Sequence, residues 1–192
     1  MTFLATNGLR MIEEDEATDE VAEIYNEMKR ELQMPFVLNM MKALAASPDM
    51  LALQWNMTRA YYKHTTLPQS LIAMIGYTIA TKNNCTYCSV HNELTCRTLG
   101  IDEDTLDKLV KDLGNVNPQR IRAMIEFALK VAKHPQDLIR ADYDKLRDQG
   151  ITEEEIVEII VVAAVSAYND IVADALQIEV DTMVTESLEQ LK

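Results

Sequence analysis

Apolar residues recur along most of the chain at intervals of three and four, the spacing of one helix face. Val21, Ile24, Tyr25, Met28 and Leu32 form the first stripe, with charges between them, and Pro35 predicts its end. Ser47-Pro48 predicts a helix start, with Ser as N-cap and Pro first in the helix, for a segment carrying Leu51, Trp55 and Tyr62. Pro68 opens another, with Ile72, Ile75 and Ile79 on one side. Asp102 is placed to cap Leu106, Leu109, Val110 and Leu113, with Gly114 as the C′ residue. Asn117-Pro118 leads into Ile121, Met124, Ile125, Ala128 and Leu129, and His134-Pro135 closes that stripe. A short helix is expected over 142–147, ending near Gly150. Thr152 and Glu155 then form a capping box ahead of a long helix through Ile156, Ile159, Ile160, Ala163, Ala164, Ala167, Ile171 and Ala175. Its middle, 159–165, is apolar on every side and is expected to be buried all round. No segment joins an alternating pattern to an Asn-Gly or Asp-Gly turn, so no strand is predicted. The fold class is all-α.

A chain of 192 residues fits a single helical domain over 1–192. Leu99-Gly100-Ile101-Asp102-Glu103-Asp104 and Gln149-Gly150-Ile151-Thr152-Glu153-Glu154 match in type, which suggests a duplicated helical unit or shared helix-start chemistry. A net charge of −13 argues against nucleic-acid binding and against docking on anionic membranes. The longest unbroken apolar run, 159–165, falls far short of the roughly 20 residues a spanning helix needs, so no membrane segment is expected. The first ten residues lack the pattern of a secretory signal, and a cytoplasmic location is the default.

Three cysteines make an odd count, unlike a disulfide framework, and two of them form a C-x-x-C. The segment is Asn83-Asn84-Cys85-Thr86-Tyr87-Cys88-Ser89-Val90-His91. A thiolate is the reactive form, and at an unperturbed pKa near 8.5 only about 3% of a thiol is ionised at pH 7. A helix N-terminus favours the anion, and the Asn, Thr and Ser residues here favour a turn or cap. Two positions i and i+3 inside a helix have Cβ atoms about 5–6 Å apart, more than the roughly 3.5–4.5 Å of a disulfide. With Cys85 in the non-helical cap and Cys88 in the first turn, closure is easy. His91 falls one turn below Cys88, placed to handle a proton. Helix-start physics leaves the attacking cysteine open, because Cys85 at the cap is also favoured as a thiolate.

Two other readings use the same residues. Cys85, Cys88, His91 and Cys96 offer four soft ligands for zinc, but a closed site needs a looping backbone, and no Gly or Pro occurs before Gly100. Alternatively, both cysteines are buried helical residues. Cys96 lies eight residues past Cys88, about 12 Å along a helix, and reads as a bystander. His64 and His134 sit near helix ends, and Tyr168, Asn169 and Asp170 follow a buried helix as partners of one another or of another subunit.

The segment from Asn83 to Asn92 resembles the core of the alkylhydroperoxidase D-like proteins, in the carboxymuconolactone decarboxylase family. The signature is a C-x-x-C, often with Tyr before the second Cys as Tyr87 is here, followed by a His. Leu67-Pro68 before it and Leu99-Gly100-Ile101 after it agree with that family, while the stretch from Phe127 to Lys130 ahead of Gly150-Ile151-Thr152-Glu153-Glu154-Glu155-Ile156, and Tyr168-Asn169, resemble its peroxidase-related branch; the likeness spans about 20–178. It implies an all-helical, homo-oligomeric protein, a trimer or hexamer, with the C-x-x-C core at about 67–113. It implies reduction of a hydroperoxide by Cys88, resolution by Cys85, a proton relay through His91, and resetting of the disulfide by an external dithiol donor. No cofactor or metal is implied. Two positions depart from the pattern. The Glu usual about twelve residues before the first Cys is Ala73 here, with Tyr77 one turn later as an auxiliary group. The commonest His position is Asn92, and His91 is a variant spacing. A second reading, from another class, is a non-catalytic helical oligomer acting as a binding protein or redox sensor. Lactone decarboxylation is a third, and the cysteine pair speaks against it.

Overall fold

Capping chemistry and apolar stripes set most helix limits. In the computed structural model, which describes residues 2–3 and 7–191, the α-helices run α1 Asp19–Leu32, α2 Asn39–Leu44, α3 Pro48–Lys63, α4 Gln69–Asn83, α5 Thr86–Thr98, α6 Glu103–Lys111, α7 Gln119–Lys133, α8 Arg140–Asp148, α9 Glu153–Leu176 and α10 Thr182–Gln190. The all-α class holds. Asp102 caps α6 by accepting from the Thr105 N–H at 2.7 Å. The Thr152–Glu155 capping box is reciprocal, with Thr152 N–H donating to Glu155 Oε2 at 2.8 Å and Glu155 N–H donating to Thr152 Oγ1 at 3.2 Å.

The chain forms two compact units, Met1–His64 with Ala173–Asp181, and Thr65–Val172 with Thr182–Lys192. In the first, α1 and α2 pack on α3. The predicted stripe of α1 is its buried face: Val21, Ile24, Tyr25 and Met28 meet Val37, Met41, Leu51 and Trp55 in one core cluster. Trp55 donates its indole N–H to Glu27 at 2.8 Å, which satisfies the polar end of a ring otherwise buried.

The second unit is built round α4, whose residues from Leu71 to Gly76, and Thr78 to Ala80, are buried. α4 packs on α5, α6 and α7, and α10 packs on α5. The α4–α5 contact is close because Gly76 has no side chain. A Cβ there would lie 2.5 Å from Asn92 Oδ1.

Several expectations change. A two-residue antiparallel pair, β1 (Thr2–Phe3) with β2 (Arg10–Met11), stands where no strand is predicted. Asn7-Gly8 lies between the two, with Gly8 at φ +71° and Asn7 Oδ1 accepting from Leu9 N–H at 2.8 Å, so a turn signal was present. α6 stops at Lys111 and a short 3-10 turn, Leu113–Asn115, absorbs Gly114, which is therefore not a left-handed C′ residue. The stretch 159–165 is not buried all round: Val161 is 51% exposed and Ala164 is also exposed. α9, at 24 residues, is long and apolar enough by length and composition to cross a membrane. The unbroken-run count misses this because Ser166, Tyr168 and Asn169 interrupt the run without lowering the average far. The same length and composition serve a core helix, and Ile156, Ile159, Val162 and Ala163 are buried here.

Candidate functional site

The cysteine pair opens α5. α4 ends in Asn84, left-handed at φ 62°, a conformation that Asn adopts more readily than most residues. The chain then turns through Cys85, extended at φ −77° and ψ 102°, which is the N-cap of α5. Its Sγ accepts from the Cys88 N–H at 3.4 Å, the bond an N-cap oxygen usually makes. Cys88 therefore lies in the first turn, and the two sulfurs lie within 4.8 Å of each other. Both are buried, Cys85 at 0% and Cys88 at 6% exposure.

A third group completes the cluster. A carboxylate oxygen of Asp170, on α9, lies within 4.8 Å of both sulfurs, and its residue is 3% exposed. Asn83, at the end of α4, donates Nδ2–H to Asp170 Oδ2 at 2.6 Å. A hydrogen bond with Cys85, then burial, then the charges of Cys85 and Asp170 and a hydrogen bond to Asp170 all push the pKa of the Cys88 thiol up. Asp170 was not resolved from its neighbours in the sequence. The signal was available: it is the sole acid between Glu158 and Asp174, and it continues the buried line of Ile159, Ala163 and Ser166 at steps of three and four.

The other sequence candidates distribute round this cluster. His91 is half-buried, with Nδ1 2.8 Å from the Tyr87 carbonyl oxygen and its ring centroid 4.1 Å from that of buried Tyr87. It lies outside the group formed by the two sulfurs and Asp170. Asn92 donates Nδ2–H to the Cys88 carbonyl at 2.8 Å and so braces the first turn of α5. Ala73 is buried at 4% exposure and brings no acid. The pKa of Tyr77 is raised by burial first and then by the charges of Glu93 and Cys96, so its phenol belongs to that neighbourhood. Cys96 is fully buried, and burial, with Glu93, pushes its thiol up to about 12. The zinc set of Cys85, Cys88, His91 and Cys96 is not assembled, because α5 runs unbroken and carries Cys96 more than two turns beyond Cys88. A cleft of about 570 Å³ lies in the first unit, walled by residues including Glu23, Glu27, Arg30 and Trp55, with neither cysteine nor histidine in its lining. The two sulfurs and the Asp170 carboxylate lie together at the head of α5, away from that cleft's lining.

No protein-family model matches the sequence, and no curated protein matches it. Solved structures do match the fold. An alkylhydroperoxidase AhpD core, a peroxidase-related protein from Ralstonia eutropha JMP134, superposes with a TM-score of 0.81 at 24% identity, covering 91% of this chain and 92% of that one. A peroxidase-related protein from Silicibacter sp. TM1040 gives 0.78 at 24% identity, with 87% of each chain covered. The debrominase Bmp8, in complex with 2,3,4-tribromopyrrole, gives 0.80 at 15% identity, covering 98% of this chain and 99% of that one. The fold is thus the alkylhydroperoxidase D-like helical fold.

Proposed function

We propose that the chain is a dithiol oxidoreductase that reduces hydroperoxides through Cys85 and Cys88. The observation that carries this reading is the buried pair itself: two thiols within 4.8 Å, one at the N-cap of α5 and one in its first turn. The fold shared with peroxidase-related proteins supports it. Cys88 is the more exposed of the two, so it meets a small peroxide first. Its sulfur attacks one peroxide oxygen, an S–O bond forms and the O–O bond breaks, leaving a sulfenic acid and an alcohol. Cys85 then displaces water from that sulfur and forms the disulfide, and an external dithiol returns both thiols. His91, one turn on from Cys88 with Nδ1 at the Tyr87 carbonyl, passes protons between the pair and solvent. No bound cofactor takes part. The working form is a homo-oligomer: Val157, Val161 and Ile171, at 59%, 51% and 69% exposure, leave an apolar line on α9 for a partner subunit to cover.

The likeness to a debrominase favours a second use of the same pair. A dithiol closing to a disulfide supplies two electrons and two protons, which balances conversion of an aryl bromide to the arene and hydrogen bromide. A non-catalytic redox sensor is the remaining reading. The deciding experiment is steady-state consumption of an organic hydroperoxide with a dithiol regenerant. Wild type is expected to turn over and Cys88→Ser to lose activity with its fold intact. Full activity in Cys88→Ser overturns the assignment.

A further inference from the structure

A thiol that is buried and hydrogen-bonded as Cys88 is must shed its proton as it attacks. On α4, Ala73 is buried and its methyl group accepts nothing. A carboxylate reaches the pair from a different element. Asp170 projects from α9 to within 4.8 Å of both sulfurs.

We propose that Asp170 is the general base of the dithiol site, taking the thiol proton from Cys88 as the sulfur attacks. Three observations support this. The carboxyl group is 3% exposed, so its neighbours are the two sulfurs and Asn83 and not bulk water. Asn83 fixes one of its oxygens at 2.6 Å, which holds the group in place against the sulfurs. A carboxylate on a buried helix face is a costly choice for packing alone. An Asn here would also offer its amide oxygen to the Asn83 N–H, but only a carboxyl group can take up a proton from Cys88.

Cys88–SH gives its proton to the Asp170 carboxylate while its sulfur electron pair forms the S–O bond. The O–O bond breaks, sulfur is oxidised by two electrons and the peroxide is reduced. Protonated Asp170 returns the proton to the departing alkoxide, so that thiol and hydroperoxide become sulfenic acid and alcohol. The carboxylate is then ready to take the Cys85 proton when the disulfide closes and the sulfenic oxygen leaves as water. The choice of hydroperoxide rests on the function proposed above, whereas removal of the thiol proton by Asp170 does not.

The test follows alkylation of Cys88 by iodoacetamide, read by peptide mass mapping in reduced wild type, Asp170→Asn and Asp170→Glu. The groups whose charge acts on Cys88 are Cys85 and Asp170. Removing a general base usually costs 10²–10⁴-fold. Asp170→Asn is therefore expected to slow Cys88 alkylation at pH 7 at least about tenfold, with a rate that climbs steadily into the thiol range. Asp170→Glu is expected to recover part of the rate, and it serves as the test if the Asn variant does not fold. If Asp170 were only a repelling neighbour, its removal would ease ionisation and Cys88 would alkylate faster. A faster or unchanged rate overturns the proposal. Wild type that ignores hydroperoxide but shows the Asp170-dependent slowing defeats the peroxide reading and leaves this one standing.

Discussion

Replacing Gly76 by Ala puts the α4–α5 packing to a sharp test. In an exposed helix interior the change stabilises by about 1 kcal/mol, because Ala has the higher helix propensity. Here the added Cβ would lie 2.5 Å from Asn92 Oδ1 and 3.0 Å from its Cγ. Asn92 can retreat only by surrendering the 2.8 Å hydrogen bond to the Cys88 carbonyl. Overpacking typically costs about 1–3 kcal/mol and a lost hydrogen bond about 1 kcal/mol. Set against the propensity gain, Gly76→Ala is expected to destabilise by about 1–3 kcal/mol. Urea unfolding followed by far-ultraviolet circular dichroism reads this as a lower midpoint at unchanged slope. Adding Asn92→Ala removes the obstruction, so the Gly-to-Ala step should become stabilising, with a coupling of at least about 2 kcal/mol between the sites. A stabilised single variant, or additive effects in the pair, would refute the close approach of α4 and α5 as the reason for this glycine.

Three further outcomes are expected. Cys96, buried with its thiol pushed up to about 12, should resist alkylation at pH 8 in folded protein and react only in denaturant; early labelling would contradict its burial. The Glu155 carboxyl lies below its ordinary value although burial pushes it up, because the Thr152 N–H and Arg120 hold the anion. Its contribution is therefore complete above the unfolded pKa of about 4.3 and is lost as the pH falls through the folded value, so Arg120→Ala should lower the urea midpoint near pH 6 and flatten its decline toward pH 3. A steeper decline in the variant would reverse the sign. The double change Val161→Glu with Ile171→Glu places charges on the exposed line of α9 and should reduce an assembled protein to protomers in light scattering; wild type that is already monomeric would remove the oligomer proposal.

How much of this was legible in the sequence varies by element. The helices of the second unit follow from signals that act locally: Pro68 before α4, Asp102 before α6 and the Thr152–Glu155 box before α9. The placement of Cys85 at the cap of α5 likewise needed only the turn-forming residues round it. α2 and α10 were missed. Each is short, and α10 shows only Val184 and Leu188 as its buried pair, too few positions to establish a period. The small β1–β2 pair was missed although Asn7-Gly8 lay between the strands, because two residues per strand carry no alternation. The burial of α9 was overestimated, since an apolar side chain facing solvent or a partner looks the same in sequence as one facing a core. The acid at the site stayed hidden for a related reason. Asp170 is 82 positions beyond Cys88 in number, and only tertiary packing brings α9 against the head of α5.

On the proposed function, Cys85 and Cys88 close to a disulfide at the expense of a peroxide. That closure is tested most directly by thiol accounting on reduced, metal-free protein given one equivalent of an organic hydroperoxide, by intact mass and free-thiol titration beside Cys88→Ser. Loss of two of the three thiols, mapped to a Cys85–Cys88 disulfide and absent from the variant, is the predicted result. Three titratable thiols remaining after prolonged exposure would contradict it.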